Sequence, residues 1–302
     1  MKYTRHLLTV LLTTAILPFS WAQGIIVNKK DGTQVIYHAS EVESITTFDE
    51  ADEPDEETKD IIIKIGEVQF KMIYVEGGTF MMGATPEQSE WATYDELPAH
   101  EVELSSYYIS ETEVTQDLWE EIVGSIYNYS GGPREGNYPV QNMILVGEEG
   151  SVRAFLKELN RRTNHQFSLP TEAQWEYAAR GGQKSQGYRF AGCDDSTEVG
   201  WTYENSERQV HAVKQKTPNE LGIYDMTGNV CEWCSDYYSD TYYGNSPKKD
   251  PQGPTEVSDR YVIRGGGFLY GSYSCRVSKR SSSTDNFTYA DLGFRIVMKS
   301  EE

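Results

Sequence analysis

Basic residues are scarce in this chain: 27 Lys and Arg stand against 47 Asp and Glu, a formal charge of −20 over 302 residues. A nucleic-acid backbone or an anionic lipid surface requires a basic footprint, so both are excluded as partners. The excess of acid instead favours solubility and the binding of cations. Long apolar runs are equally scarce, and beyond the first residues none approaches the roughly 20 that a membrane helix needs. The five histidines, His6, His38, His100, His165 and His211, include no pair at metal-ligand spacing, which removes the common zinc patterns. There is no G-x-S-x-G elbow. The run Gly265-Gly266-Gly267 lacks the Lys and Ser/Thr of a phosphate-binding loop, so close backbone packing accounts for it better. No internal repeat or heptad is present.

What is there begins with a leader. Lys2 and Arg5 precede an apolar run that ends at Ala22, the pattern of a secretory signal peptide over 1–22 and of an exported mature chain. Residues 23–48 carry two β-rich pieces around the turn signal Lys30-Asp31-Gly32 and read as a short hairpin-like module. The acidic stretch 49–60, broken by Pro54, repels itself and buries nothing, so it reads as a linker. Residues 61–302 then form one large domain. Within it, Gly77-Gly78 marks a strand–turn–strand pattern. Three helices are predicted: one capped by Thr115 and stopped by Gly124, one over about 151–163 capped by Ser151, and one with a Thr171/Gln174 capping box. In the third, Trp175, Ala178 and Ala179 form the expected buried stripe and Gly181 ends it. Tyrosine is abundant at 21 residues, which suits both core packing in a loop-rich fold and a recognition surface for protein or carbohydrate.

The four cysteines, Cys193, Cys231, Cys234 and Cys275, form an even set in an exported chain and read as disulfides, with three connectivities open. The spacing Cys231-x-x-Cys234 lacks the strand–helix context of a redox-active pair. Chemistry concentrates instead at GIYDMTGNVCEW, 222–233. Asp225 and Glu232 flank Gly228, a residue free to adopt positive φ, so the chain turns tightly between two carboxylates. Carboxylates and turned-out carbonyls are the hard oxygen set that suits calcium. Arg276, Arg280 and Arg295 lie among apolar neighbours and are expected to form structural ion pairs.

The segments NELGIYDMTGNVCEW, RGGGF and LGFR resemble the formylglycine-generating enzyme, or sulfatase-modifying factor, family. MIYVEGGTFMMGA, HEVELSSYYISETEVTQ, YPVQNM and SLPTEAQWEYAARGG agree upstream in the same order, so the resemblance spans about 72–298. It implies an α+β, C-type-lectin-like fold, loop-rich, with short strands and about three helices. It places calcium ligands on the Asp225 and Glu232 side chains and the Gly228 and Val230 carbonyls, with calcium as a structural ion. It also implies a Cys234–Cys275 bridge, with Cys193–Cys231 as the remaining pair.

The enzymatic members resemble one another in two cysteines, five residues apart, that hold copper(I) as thiolates. The matching positions here are Tyr270 and Cys275. A Trp of the enzymes is Cys231, a Ser is Gly267, and an Asn is Asp291. A phenol does not replace a soft thiolate, so copper is not expected. The expectation is an exported, calcium-stabilised binding or scaffold protein, with an extracytoplasmic protein, peptide or glycan as partner and Tyr270, Tyr273 and Arg276 as candidate ligand contacts. Two alternatives stay open: a divergent oxidase pairing Cys275 with Cys231 or Cys234, and a lectin-like binder with a variable surface at 268–291.

Overall fold

Alternation of apolar side chains builds a sheet whose central strands are buried on both faces, while Ile62 on its edge strand is 66 % exposed. The structure, a computed structural model, describes residues 24–28, 34–38, 59–125, 133 and 135–300. The signal segment and most of the acidic linker lie outside the described residues. The chain divides into two units, 1–57 and 58–302. In the first, β1 (Gly24–Asn28) pairs antiparallel with β2 (Gln34–His38).

In the second unit, β3 (Ile61–Ile65), β4 (Val68–Val75), β7 (Tyr107–Ser110), β13 (Val297–Lys299) and β8 (Phe167–Ser168) form a five-stranded sheet in the order β3-β4-β7-β13-β8. Along β4, Met72 joins one core cluster while Ile73 and Val75 join the other, as a period of two requires. Helices α1 (Gln116–Val123) and α2 (Val152–Thr163) supply Leu118, Trp119, Phe155 and Leu159 to the first cluster. Helix α3 (Glu172–Ala179) supplies Trp175, Tyr177 and Ala178 to the second. Each cap falls where the sequence places it: Thr115 Oγ1 accepts from Leu118 N, Ser151 Oγ from Ala154 N, and Thr171 with Gln174 closes the capping box. A four-residue helix, α4 (Ser196–Val199), capped by Asp195, adds to the three that were predicted.

A second sheet carries the candidate site. Its order is β11-β10-β9-β12, with β11 (Ser281–Thr284), β10 (Arg260–Arg264), β9 (Cys231–Tyr237) and β12 (Leu292–Gly293). The strands β5 (Gly78–Met82) and β6 (His100–Leu104) pair with each other. The pattern around Gly77-Gly78 is therefore not a hairpin: β4 and β5 follow one another but join different sheets.

Helix α3 differs from its expected one-sided stripe. Glu172 and Glu176 are as buried as Trp175. Burying a carboxylate is tolerable only when it is paired. Arg280 Nε and Nη2 donate to Glu172 at 2.7 and 2.9 Å, Arg264 pairs with Glu176, and Arg180 Nε donates to Glu176 at 2.9 Å. Among the described residues no helix is long and apolar enough to cross a membrane.

Candidate functional site

Strand β9 is entered through a turn with unusual backbone. Asp225, Gly228 and Asn229 all have positive φ, at 56°, 76° and 56°. Gly228 lies so close to the Trp201 backbone that a β-carbon would come within 2.2 Å of the Trp201 carbonyl oxygen. Only glycine meets both demands. The turn delivers Asp225 and Glu232 into the interior, 2 % and 0 % exposed.

The two carboxylates are used differently. Arg295 Nη2 and Nε donate to Glu232 Oε1 and Oε2, each at 2.7 Å, and Trp175 Nε1 donates to Oε2 at 2.6 Å. The ion pair expected for Arg295 is thus with a predicted calcium ligand. The Lys214 backbone N–H donates to Asp225 Oδ2 at 2.9 Å, whereas Asp225 Oδ1 is buried without a partner. A third carboxylate, which motif reading did not assign, completes the cluster. Glu113 accepts from Val230 N at 3.0 Å and from Asn229 Nδ2 at 2.9 Å, pinning the turn. Burial, reinforced by Asp225 and Glu232, pushes Glu113 well above the usual carboxylate range, and burial pushes Asp225 up to about 6. Three carboxylates therefore share one guanidinium.

The unsatisfied Asp225 oxygen and the all-oxygen donor set fit a hard cation. Among the described residues no three His, Cys, Asp or Glu side chains converge on one metal position. A cation here would therefore have to draw ligands from the Gly228 and Val230 carbonyls as well as from Asp225 and Glu232. Asn205, between the turn and α4, is tied into its own loop: it donates to the Gly200 carbonyl at 2.9 Å and accepts from Thr202 N at 2.8 Å.

The second part of the site lies at the start of β9. Cys231, Gly265, Gly266, Tyr270 and Ser274 line a cavity of about 50 Å³. Cys275 is fully buried, its thiol 3.7 Å from the Gly271 carbonyl and packed over Gly266, where a β-carbon would come within 2.5 Å of the sulfur. Gly267 and Asp291 are a matched pair, since a β-carbon on Gly267 would meet Asp291 Oδ2 at 2.4 Å. The carboxylate fills the space that a larger residue at 267 would need. Burial pushes the Cys231 and Cys275 thiols up, with Asp291 adding to both, and pushes the Tyr270 hydroxyl up to about 12. At neutral pH the cavity therefore offers neither thiolate nor phenolate.

The cysteine pairings expected from the resemblance are not formed: all four cysteines are free thiols. For Cys234–Cys275 the reason is strand geometry. Cys231 packs in one core cluster and Cys234 in the other, because residues three apart on a strand face opposite ways. Cys275 is a neighbour of Cys231, not of Cys234.

Arg276 corrects another expectation. It is 1 % exposed, with Nη1 and Nη2 donating to Glu96 at 2.9 and 2.8 Å, to the Trp91 carbonyl and to Ser278, so it is unavailable to a ligand. Burial pulls Glu96 upward, but Arg276 and Ser278 prevail and hold it at about 2. Arg276 Nε also donates to the Tyr273 carbonyl, so this ion pair supports the surface instead of forming it. That surface is aromatic: Tyr270 and Tyr273 are 37 % and 59 % exposed, and Tyr203, whose backbone N–H donates to the Tyr270 carbonyl at 2.9 Å, continues the rim.

Comparison with known proteins agrees with this scaffold. Residues 66–300 match the Sulfatase-modifying factor enzyme 1-like domain. The chain is 31 % identical to a formylglycine-generating enzyme of Streptomyces coelicolor, over 72 % of this chain and 86 % of that protein. It is 29 % identical to chaperone protein LppX of Paenibacillus barcinonensis, over 75 % and 88 %. Among solved structures, Treponema denticola variable protein 1 superposes with a TM-score of 0.70 at 28 % identity, over 80 % of this chain and 99 % of that one.

Proposed function

The chain belongs to the sulfatase-modifying factor family, and from that premise we propose that it is an exported, calcium-stabilised binding protein without copper oxidase chemistry. The observation that carries this reading is the pocket. A phenol stands at the first thiol position, and the thiols that remain are buried and protonated. Copper(I) needs paired soft thiolates, and Tyr270 with Cys275 does not supply them. Calcium, by contrast, would find Asp225 Oδ1 without a partner. Its role would be structural, clamping the turn that feeds β9. The ligand surface would be the aromatic rim of Tyr203, Tyr270 and Tyr273, and an extracytoplasmic protein, peptide or glycan its occupant. The likeness to a variable protein and to a chaperone supports a binding role.

One observation favours a second reading. Cys231 and Cys275 are electrostatic neighbours, so a divergent oxidase would use that pair. A single experiment separates the two. The chain is incubated with a sulfatase-type cysteine peptide, with and without copper(I), and the peptide mass is measured. No aldehyde product is expected in either case, and aldehyde formation by the wild-type chain would overturn the binding-protein reading.

A further inference from the structure

The cavity at the start of β9 is lined for the opposite sign from the rest of the chain. Two cations, Arg264 and Lys279, and two serines, Ser274 and Ser281, line it, and no Asp or Glu does. This stands out in a sequence with 47 acids and 27 bases. Burial keeps the Cys231 thiol and the Tyr270 hydroxyl on its wall protonated, so neither adds negative charge. Asp291, which acts on both, lies outside the lining and accepts from the Leu269 N–H.

Arg264 carries an open donor. It is 1 % exposed, and both terminal nitrogens are committed. Nη1 donates to the Ser278 and Lys279 carbonyls at 2.9 and 2.6 Å, and Nη2 donates to the Val277 carbonyl at 2.9 Å and to Glu176. Nε is buried without a partner. A buried guanidinium donor left unanswered is costly, and the adjoining cavity is where an acceptor from outside the chain would stand. Lys279 adds surplus charge. Its Nζ gives one of three donors to Thr93 Oγ1 at 2.9 Å. Glu96 lies 3.9 Å from that nitrogen and is already held by Arg276 through bonds of 2.9 and 2.8 Å. The way in passes Ser281, which is exposed, and Tyr270, 37 % exposed, so the cavity lies under the aromatic rim. Its volume of about 50 Å³ admits a carboxylate but not a sugar ring.

We propose that this cavity receives the carboxylate of a bound peptide, with Arg264 Nε, Lys279 Nζ and the Ser281 hydroxyl as its donors. This rests on the reading of the aromatic rim as the ligand-binding surface: the rim holds the peptide, and the cavity beneath takes its charged group. Hydrogen bonds between ionised partners are the strong ones, so the carboxylate carries the selectivity.

Three small probes test it by calorimetry on the full exported chain. Acetyl-diglycine offers a terminal carboxylate, Nα-acetyl-aspartate methylamide offers a side-chain carboxylate, and acetyl-diglycinamide is the neutral control. A carboxylate probe should bind about 10-fold more tightly than the amide or better, the step that one charge-assisted hydrogen bond gives. The tighter of the two carboxylates names the source, a chain terminus or an acidic side chain. Arg264→Ala would strip Glu176 of its partner and endanger the fold, so Lys279→Gln and Ser281→Ala carry the test. Lys279→Gln should remove most of the preference, and Ser281→Ala should reduce it, both at an unchanged melting temperature. Tyr273→Ala, outside the cavity, should weaken all three probes alike. Equal affinity for carboxylate and amide, with both weakened by Tyr273→Ala, would overturn the carboxylate site and leave the rim reading standing. Survival of the full preference in Lys279→Gln would overturn the site as well. Failure of all three probes to bind would overturn the site and the rim together.

Discussion

The turn at 225–232 and the pocket at 267–291 share strand β9 as a common wall, yet they treat burial of charge in opposite ways. In the turn, Glu232 is matched atom for atom by Arg295 and Trp175, and Glu113 is matched by Val230 and Asn229. In the pocket, Asp291 Oδ2 is buried without a hydrogen-bond partner, and Cys231 and Cys275 are free thiols beside it. The first arrangement is that of a scaffold, in which each polar atom except Asp225 Oδ1 fixes another. The second leaves hydrogen-bonding capacity unspent. Differences in the pocket thus need not disturb the fold around it.

The contrast is broken most severely at Arg295. Arg295→Ala leaves Glu232 buried and unpaired beside Glu113 and Asp225, and should destabilise the chain by about 3–5 kcal/mol. Urea denaturation measures the loss, and a change below 1 kcal/mol would show that the pair does not anchor the turn. The comparison sharpens next with chelation. If calcium answers Asp225 Oδ1, its removal should lower the melting temperature by the equivalent of about 3 kcal/mol at hundredfold saturation. Asp225→Asn should remove that shift. A melting curve unmoved by excess chelator would strike calcium from the turn.

In the pocket, Gly267→Ala should cost about 1–3 kcal/mol through overpacking against Asp291. The double variant Gly267→Ala/Asp291→Ala should recover most of it, because the clash and its partner are removed together. Additive losses in the double-mutant cycle would show that the two positions are not a matched pair.

A further effect concerns pH. Asp236, on β9, accepts from Glu172 N at 3.0 Å, and burial, with Glu172 adding to it, raises it to about 7. A carboxyl raised in the folded state binds its proton more tightly there than in the unfolded chain. Its contribution to stability is therefore full below about pH 4 and is lost as pH rises toward 7, at about 1.4 kcal/mol per pKa unit. Asp236→Asn should flatten the stability profile between pH 4 and 7. An unchanged slope would show that Asp236 does not titrate in that window.

Local rules carried a large part of the fold. Thr115, Ser151 and the Thr171/Gln174 box cap their helices because a cap needs only neighbours in sequence. The order of the motifs likewise identified the family before any coordinates. The ion pairing of Arg276, Arg280 and Arg295 followed from charge among apolar neighbours, since such a charge cannot stay buried alone. Their partners did not follow. Glu96, Glu172 and Glu232 lie 180, 108 and 63 residues away, and nothing local marks them.

The sequence by itself determined which residues turn, cap and alternate, and through its ordered motifs the family. Tertiary structure alone decided who meets whom. It put Cys231 and Cys234 on opposite faces of β9, with Cys275 near Cys231 and not near the Cys234 it was expected to bridge. It closed Arg276 onto Glu96, which took a candidate ligand contact out of solvent. It brought Glu113 from the end of β7 to the turn before β9, and set Asp291 against Gly267. The physical reason is common to all four. Propensity and capping act over a few residues, whereas the pairing of a buried charge, the packing of a thiol and the room left by a missing β-carbon depend on atoms that only the folded sheets bring within reach.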